Sequence, residues 1–241
     1  ADMTAGASGS AQPRAPRAAQ PELPSAAGAR AGGVVSRLLF RGGFRVHAHG
    51  RENVPATGGV LLASNHAGIV DGPLLFGLSP RPVHALVKDE MFRGVVGRAL
   101  RGFGQIALRR DGGDRVAITA ALQVLRAGRV LAIFPEGTRG TGSVASVQRG
   151  AAWLALRSGA PIVPVACLGT RPASGRGGLP RLRARLDVVF GPPLQLGEPG
   201  AAAGRAAVDA AAVVLQQALA AHVAAAAAAT GHVLADPDEQ P

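Results

Sequence analysis

Gly59-Val60-Leu61-Leu62-Ala63 runs directly into Ser64-Asn65-His66-Ala67-Gly68-Ile69-Val70-Asp71, and then into Gly72-Pro73-Leu74-Leu75-Phe76. The first five residues are a short, unbroken apolar run, as expected of a strand buried on both faces. The last five read as the start of a helix, where a proline is tolerated because the first N–H groups have no intrahelical partner. Between the two lie a histidine and, five positions later, an aspartate. On one helix their side chains would point about 140° apart. They meet only if His66 lies in the loop and Asp71 in the first helical turn. Placed so, the imidazole can take a proton from a hydroxyl while the carboxylate fixes its tautomer and steadies the imidazolium.

Outward from this stretch the pattern repeats. Val46 to Gly50, Val83 to Val87, Gln105 to Leu108, Val130 to Phe134, Pro161 to Leu168 and Leu182 to Phe190 read as strands. Met91 to Arg101, Arg115 to Arg126, Gly150 to Arg157 and an alanine-rich segment, 201–229, read as helices. Strands alternating with helices predict an α/β fold: a single domain with a mixed, largely parallel sheet flanked by helices and preceded by an amphipathic N-terminal helix. Residues 1–32 are Ala, Gly, Pro and Ser with scattered arginines and are expected to be a disordered tail. The domain is expected over 33–230, with the amphipathic helix at 33–46, a motif-bearing core at 45–190, and a polar tail at 231–241. In that first helix Arg37, Arg41 and Arg45 recur every four residues. They are either solvated charges on a helix that packs on the core, or the basic stripe of a helix lying on an anionic membrane.

The chain has 241 residues, 26 basic and 15 acidic, for a formal charge of +11. That balance favours anionic partners such as phosphates or an acidic lipid surface. Lysine appears once, at Lys88, and tyrosine not at all, so part of the arginine count reflects composition bias. Aromatic residues make up 3%, which argues against a nucleic-acid partner that reads bases by stacking. Cys167 is the sole cysteine, so an intrachain disulfide is excluded, and its apolar setting marks it as inert core. The first thirty residues lack the apolar core of a secretory signal, and no conventional membrane span is expected. His47 and His49 share one side of a strand and are expected to face solvent; nothing has metal-ligand spacing.

In α/β folds ligands gather at the carboxyl ends of strands. Three polar clusters fall there: His66 to Asp71, Arg109-Arg110, and Glu136 to Arg139. Phe134-Pro135-Glu136-Gly137-Thr138-Arg139 sets backbone N–H groups beside a guanidinium, either an anion clamp or a strand-end turn closed by a surface ion pair. Arg109 and Arg110 are a second phosphate fork or a solvated pair.

Taken in order, these segments resemble the glycerolipid acyltransferase family, the 1-acylglycerol-3-phosphate (lysophosphatidic acid) acyltransferases. Asn65-His66 with Asp71 resembles the family's Asn-His-x4-Asp block. Gly104 to Arg110 resembles the second block, Phe134 to Arg139 matches the third at every position, and Ile162-Val163-Pro164-Val165 resembles the fourth. The likeness covers about 45–190. Gln105, Ala107 and Gly68 depart from the usual residues, Gly68 standing where the family often has serine.

The resemblance implies acyl transfer from an acyl thioester, acyl-CoA or acyl carrier protein (acyl-ACP), to the free hydroxyl of a lysophospholipid, with phosphatidic acid as the expected product. It implies His66 as general base and Asp71 as its orienting acid. Arg110, Arg139, Glu136, Gly137 and Thr138 would hold the acceptor's phosphate, with Asn65 and Arg109 in support. No cofactor and no metal is implied. The partners would be an anionic membrane, the lysophospholipid and the acyl carrier, without nucleic acid, and the location the cytoplasmic face of the cell membrane, peripherally. The alternatives are another lysolipid acceptor, such as a lyso-ornithine lipid, or a non-catalytic lipid-binding protein. A dinucleotide site is rejected: Gly102-x-Gly104-x-x-Ala107 runs into a strand, and Gly140-x-Gly142-x-x-Ala145 opens no βαβ unit.

Overall fold

The computed structural model describes residues 22–109, 114–136, 144, 147–171, 178–197 and 204–234. Among them the order is α1 (Ala26–Gly43), β1 (Arg45–His49), β2 (Val60–Ser64), α2 (Asp71–Leu78), β3 (Val83–Lys88), α3 (Gly94–Gly102), β4 (Ile106–Leu108), α4 (Arg115–Arg126), β5 (Val130–Ile133), α5 (Arg149–Ser158), β6 (Ile162–Leu168), β7 (Arg185–Phe190) and α6 (Arg205–Thr230). The strands form a seven-stranded sheet ordered β1-β7-β6-β2-β5-β3-β4. Every neighbouring pair is parallel except β6–β7.

β2 lies between β5 and β6, and all five of its residues are buried. A strand covered on both faces needs an unbroken apolar run rather than an alternating one, which is how Val60 to Ala63 reads. Burying each of its larger side chains contributes roughly 1.5–3 kcal/mol. On one face α4, α5 and α6 cover Leu61, Leu131 and Ile162. On the other, α2 and Phe40 of α1 cover Leu62, Ala132 and Val163. By length and composition α6 could cross a membrane, with a mean hydropathy of 1.6 in its most apolar window. Leu215, Leu219 and Val223 of α6 are nevertheless fully buried in the core.

The start of α1 corrects the expectation of a tail to residue 32. The helix begins at Ala26, and the Ser25 side chain caps it by accepting from the Gly28 N–H. Its early turns are held by small residues at close approach. A Cβ on Gly28 would sit 2.1 Å from the Gly102 carbonyl oxygen, and one on Gly32 2.9 Å from Phe103. The single arginine stripe is also corrected. Arg45 belongs to β1, and Arg37 turns inward so that its Nε donates to the Gly77 carbonyl at 2.8 Å. Arg41 stays exposed, as does Arg30, and beside them α1 exposes Val34, Val35, Leu38 and Leu39, the last two 67% and 68% accessible.

His47 and His49 lie on the exposed side of β1 as expected, with side chains 48% and 44% accessible, and both also approach a carboxylate. Asp187 on β7 is completely buried; it accepts from His49 Nε2 at 2.7 Å, His232 Nε2 at 2.9 Å and Arg185 Nε at 2.8 Å, with His47 Nδ1 at 3.8 Å. Parallel pairing of β1 with β7 sets His47 level with Asp187.

Candidate active site

His66 sits in the loop that leaves β2, and Asp71 is the first residue of α2. Asp71 is completely buried, and its Oδ2 accepts from His66 Nδ1 at 2.8 Å. The same oxygen accepts the backbone N–H groups of Ala67 and Gly68, each at 2.8 Å. The carboxylate thus organises the loop as well as the ring. With Nδ1–H committed to Asp71, the Nε2 lone pair is left as the basic site. The imidazole is about one-fifth exposed.

Three further elements fix the loop. The Asn65 side chain clamps β6: its Oδ1 accepts the Cys167 N–H at 2.8 Å and its Nδ2 donates to the Cys167 carbonyl at 3.1 Å. Phe134, just past β5, lies against the His66 ring with centroids 4.5 Å apart. Glu136 Oε1 accepts the His66 backbone N–H at 2.9 Å. Burial raises the Glu136 pKa; the hydrogen bond from His66 opposes the shift.

Glu136 therefore serves the histidine loop directly, a role the spacing of the sequence did not show. Gly137, Thr138, Arg139 and Arg110 lie outside the described residues. Arg109 is placed, but its backbone N–H donates to Asp114 Oδ2 at 3.1 Å and its guanidinium lies 3.8 Å from the same oxygen, beside the α4 cap. Burial, and then the Asp71 charge, push the Cys167 thiol up, so it stays protonated and is not a nucleophile. The glycine fingerprint at Gly104 is a structural turn. Gly104 adopts φ +66°, and its carbonyl accepts from His84 Nδ1 at 2.7 Å.

Gly68 has a steric reason. A Cβ there would sit 2.3 Å from the Thr170 carbonyl oxygen, a backbone atom that cannot swing away. Gly68→Ser is expected to displace the loop, costing roughly 1–3 kcal/mol as overpacking does. Thermal melting checks the stability, and a fall in turnover at fixed folded fraction would show the lost His66 geometry. Unchanged melting and turnover would show that the loop tolerates the serine.

Known proteins add the following. A family model described as Acyltransferase matches residues 45–168. A 1-acyl-sn-glycerol-3-phosphate acyltransferase of Bacillus subtilis is 32% identical over 159 residues, covering 65% of this chain and 76% of that protein. One of Borreliella burgdorferi is 33% identical over 137 residues, covering 55% and 54%. The chain thus spans about three quarters of the first relative and about half of the second. The crystal structure of the 1-acyl-sn-glycerophosphate (LPA) acyltransferase PlsC from Thermotoga maritima aligns with a TM-score of 0.63 at 20% identity, covering 86% of this chain and 80% of that one. At that identity the likeness speaks for the fold.

Proposed function

The chain belongs to the acyltransferase family, and on that premise we propose that it moves an acyl chain from an acyl thioester, acyl-CoA or acyl-ACP, onto the free hydroxyl of a lysophospholipid, with 1-acylglycerol-3-phosphate as acceptor and phosphatidic acid as product. The observation that carries this reading is the 2.8 Å bond between His66 Nδ1 and a fully buried Asp71. His66 Nε2 takes the hydroxyl proton as the oxygen attacks the thioester carbonyl. The tetrahedral intermediate collapses with loss of the thiolate, and the His66 imidazolium returns the proton to sulfur. Asp71 holds the tautomer throughout. Glu136 and Phe134 hold the loop so that the ring is in place before the substrate arrives. Arg110 and Arg139 take the acceptor's phosphate as the resemblance implies, and the Bacillus and Borreliella relatives support that acceptor by name.

An acceptor panel tests the substrate. Lysophosphatidic acid, a lyso-ornithine lipid and neutral lysolipids are each offered with acyl-CoA and acyl-ACP, and products are read by mass. Phosphatidic acid as the dominant product is expected. Preferred acylation of a phosphate-free lysolipid would overturn the acceptor, and lipid binding without product would overturn the enzyme.

The same proposal places the chain peripherally on the cytoplasmic face of the membrane. Support comes from the exposed Val34, Val35, Leu38 and Leu39 on α1, and from Val95 and Val96, 72% and 55% accessible, on α3. The two helices meet where Gly28 approaches Gly102. Apolar side chains at an interface contribute roughly 25 cal/mol per Å² removed from water. Leu38→Glu with Leu39→Glu is therefore expected to lower sedimentation with anionic vesicles at least tenfold while the fold survives, since neither side chain is in the core. Undiminished sedimentation would remove α1 from the membrane contact.

A further inference from the structure

Where the first turns of α5 and α6 meet α4, the surface forms a groove of about 470 Å³ whose lining includes neither His66 nor Asp71. Ile118, Trp153 and Val208 line it together with Arg149, Arg205 and Asp209. Asp209 is ion-paired with Arg149 Nε, and Arg205 is exposed. Two guanidiniums against one carboxylate leave the groove positive, and the N-terminal ends of the α5 and α6 dipoles add to that field. Apolar walls with an indole and a positive field suit a ligand with a flat aromatic body and several negative charges.

The groove also lies at the end of the sheet where the chemistry is. α4 and α5 follow the parallel strands β4 and β5, so both begin at the carboxyl edge that carries His66. The Gln148 N–H, one residue ahead of Arg149, donates to the Pro135 carbonyl at 2.8 Å. Pro135 stands between Phe134, on the His66 ring, and Glu136, on the His66 backbone. A ligand anchored in the groove by one end can therefore extend a flexible arm toward His66. Among the substrates of an acyl transfer only one has that shape. A lysophospholipid has a single phosphate and no aromatic body. A carrier protein presents a phosphodiester without a base. Coenzyme A carries an adenine and three phosphates at one end of a long arm and the thioester at the other.

We propose that the groove between α4, α5 and α6 binds the 3′-phosphoadenosine diphosphate end of acyl-CoA, with Trp153 against the adenine and Arg149 and Arg205 on the phosphates. This rests on the acyl-transfer reading and names its donor. Asp209 keeps Arg149 oriented and is placed to accept from a ribose hydroxyl. Volumes of this order are usual for small-molecule sites.

Trp153 is the sole tryptophan and the chain has no tyrosine, so intrinsic fluorescence reports this groove directly. The full chain is titrated with coenzyme A, 3′,5′-ADP and pantetheine. Coenzyme A and 3′,5′-ADP are expected to quench saturably, and pantetheine, which has the arm without the nucleotide, is not. Arg205→Ala keeps the reporter and is expected to weaken both binding ligands about tenfold, the size of one charge-assisted hydrogen bond. The same variant is expected to raise KM for acyl-CoA about tenfold while KM for the lysolipid holds. Emission unmoved by coenzyme A at millimolar concentration, or quenching indifferent to Arg205→Ala, overturns the proposal. Turnover from acyl-ACP alone, without coenzyme A binding, does the same and leaves the transferase standing. Coenzyme A binding that depends on Arg205, with no acyl transfer from any donor, upholds the groove and removes the reaction.

Discussion

Asp71→Asn will lower kcat for acyl transfer by roughly 10³–10⁴-fold, the scale seen when the carboxylate behind a catalytic imidazole becomes an amide. Asp71 Oδ2 accepts three hydrogen bonds, from His66 Nδ1 and from the N–H groups of Ala67 and Gly68. An amide has one acceptor oxygen. In the Oδ2 position that oxygen still meets all three donors but carries no charge, so the imidazolium formed in the reaction loses its counter-charge. If the amide turns over, the NH2 group faces His66 and selects the tautomer with the proton on Nε2, so the base is lost although the ring has not moved. The Ala67 and Gly68 donors then lose their acceptor as well, at about 1–3 kcal/mol. Because Asp71 is completely buried, water cannot substitute for the missing oxygen. Initial rates at saturating substrate, read beside thermal melting, separate the outcomes. A rate within tenfold of wild type in a folded variant would show that Asp71 does not set the tautomer.

Asp187→Ala is expected to destabilise the fold by roughly 2–3 kcal/mol, the range for removing the buried partner of hydrogen-bonded charges. At about 2–4 °C per kcal/mol in a chain of this size, melting falls by roughly 4–12 °C. Asp187 ties β7 to the edge strand β1 through His49 and to the end of α6 through His232. Burial alone would push its carboxyl up; the hydrogen bonds from Arg185, His232 and His49 overcome that and bring it down to about 2. The sign follows from linkage. A carboxyl depressed in the folded state contributes stability that is full above its unfolded value near ~3.9 and is lost as pH falls through about 2. Asp187→Asn keeps the shape and removes the charge, so its deficit against wild type is expected to be largest above pH ~4 and to shrink toward pH ~2. A deficit constant across that range would show that the charge is not what holds β1, β7 and α6 together.

The central strands and the histidine loop were legible because their signals are local. Val60 to Ala63 needed only an apolar run, and the five-residue gap from His66 to Asp71 already demanded a loop followed by a helix. The 3.6-residue apolar repeat from Arg115 to Arg126 likewise marked α4. Other features depended on contacts between distant segments. Ala26 to Gly32 looked like tail because its packing rests on glycines meeting Gly102 and Phe103, and small residues carry little hydropathy signal. Arg37 was expected to face solvent or a membrane, since its acceptor, the Gly77 carbonyl, is a backbone atom forty positions away. The histidines around Asp187 come together only through the β1–β7 register and the end of α6, which no spacing along the chain encodes. At the site, Glu136 was expected with the phosphate group, whereas its bond to the His66 N–H spans seventy residues and follows from β2 and β5 being neighbours.

The most direct measurement is thiol release from acyl-CoA and acyl-ACP thioesters, with and without lysophosphatidic acid, for the wild-type chain and for His66→Ala. Release is expected to depend on the acceptor, to yield phosphatidic acid, and to fall at least a thousandfold in the variant. Release that persists in His66→Ala, or that appears with no donor and acceptor pair in the wild type, would contradict acyl transfer with His66 as base.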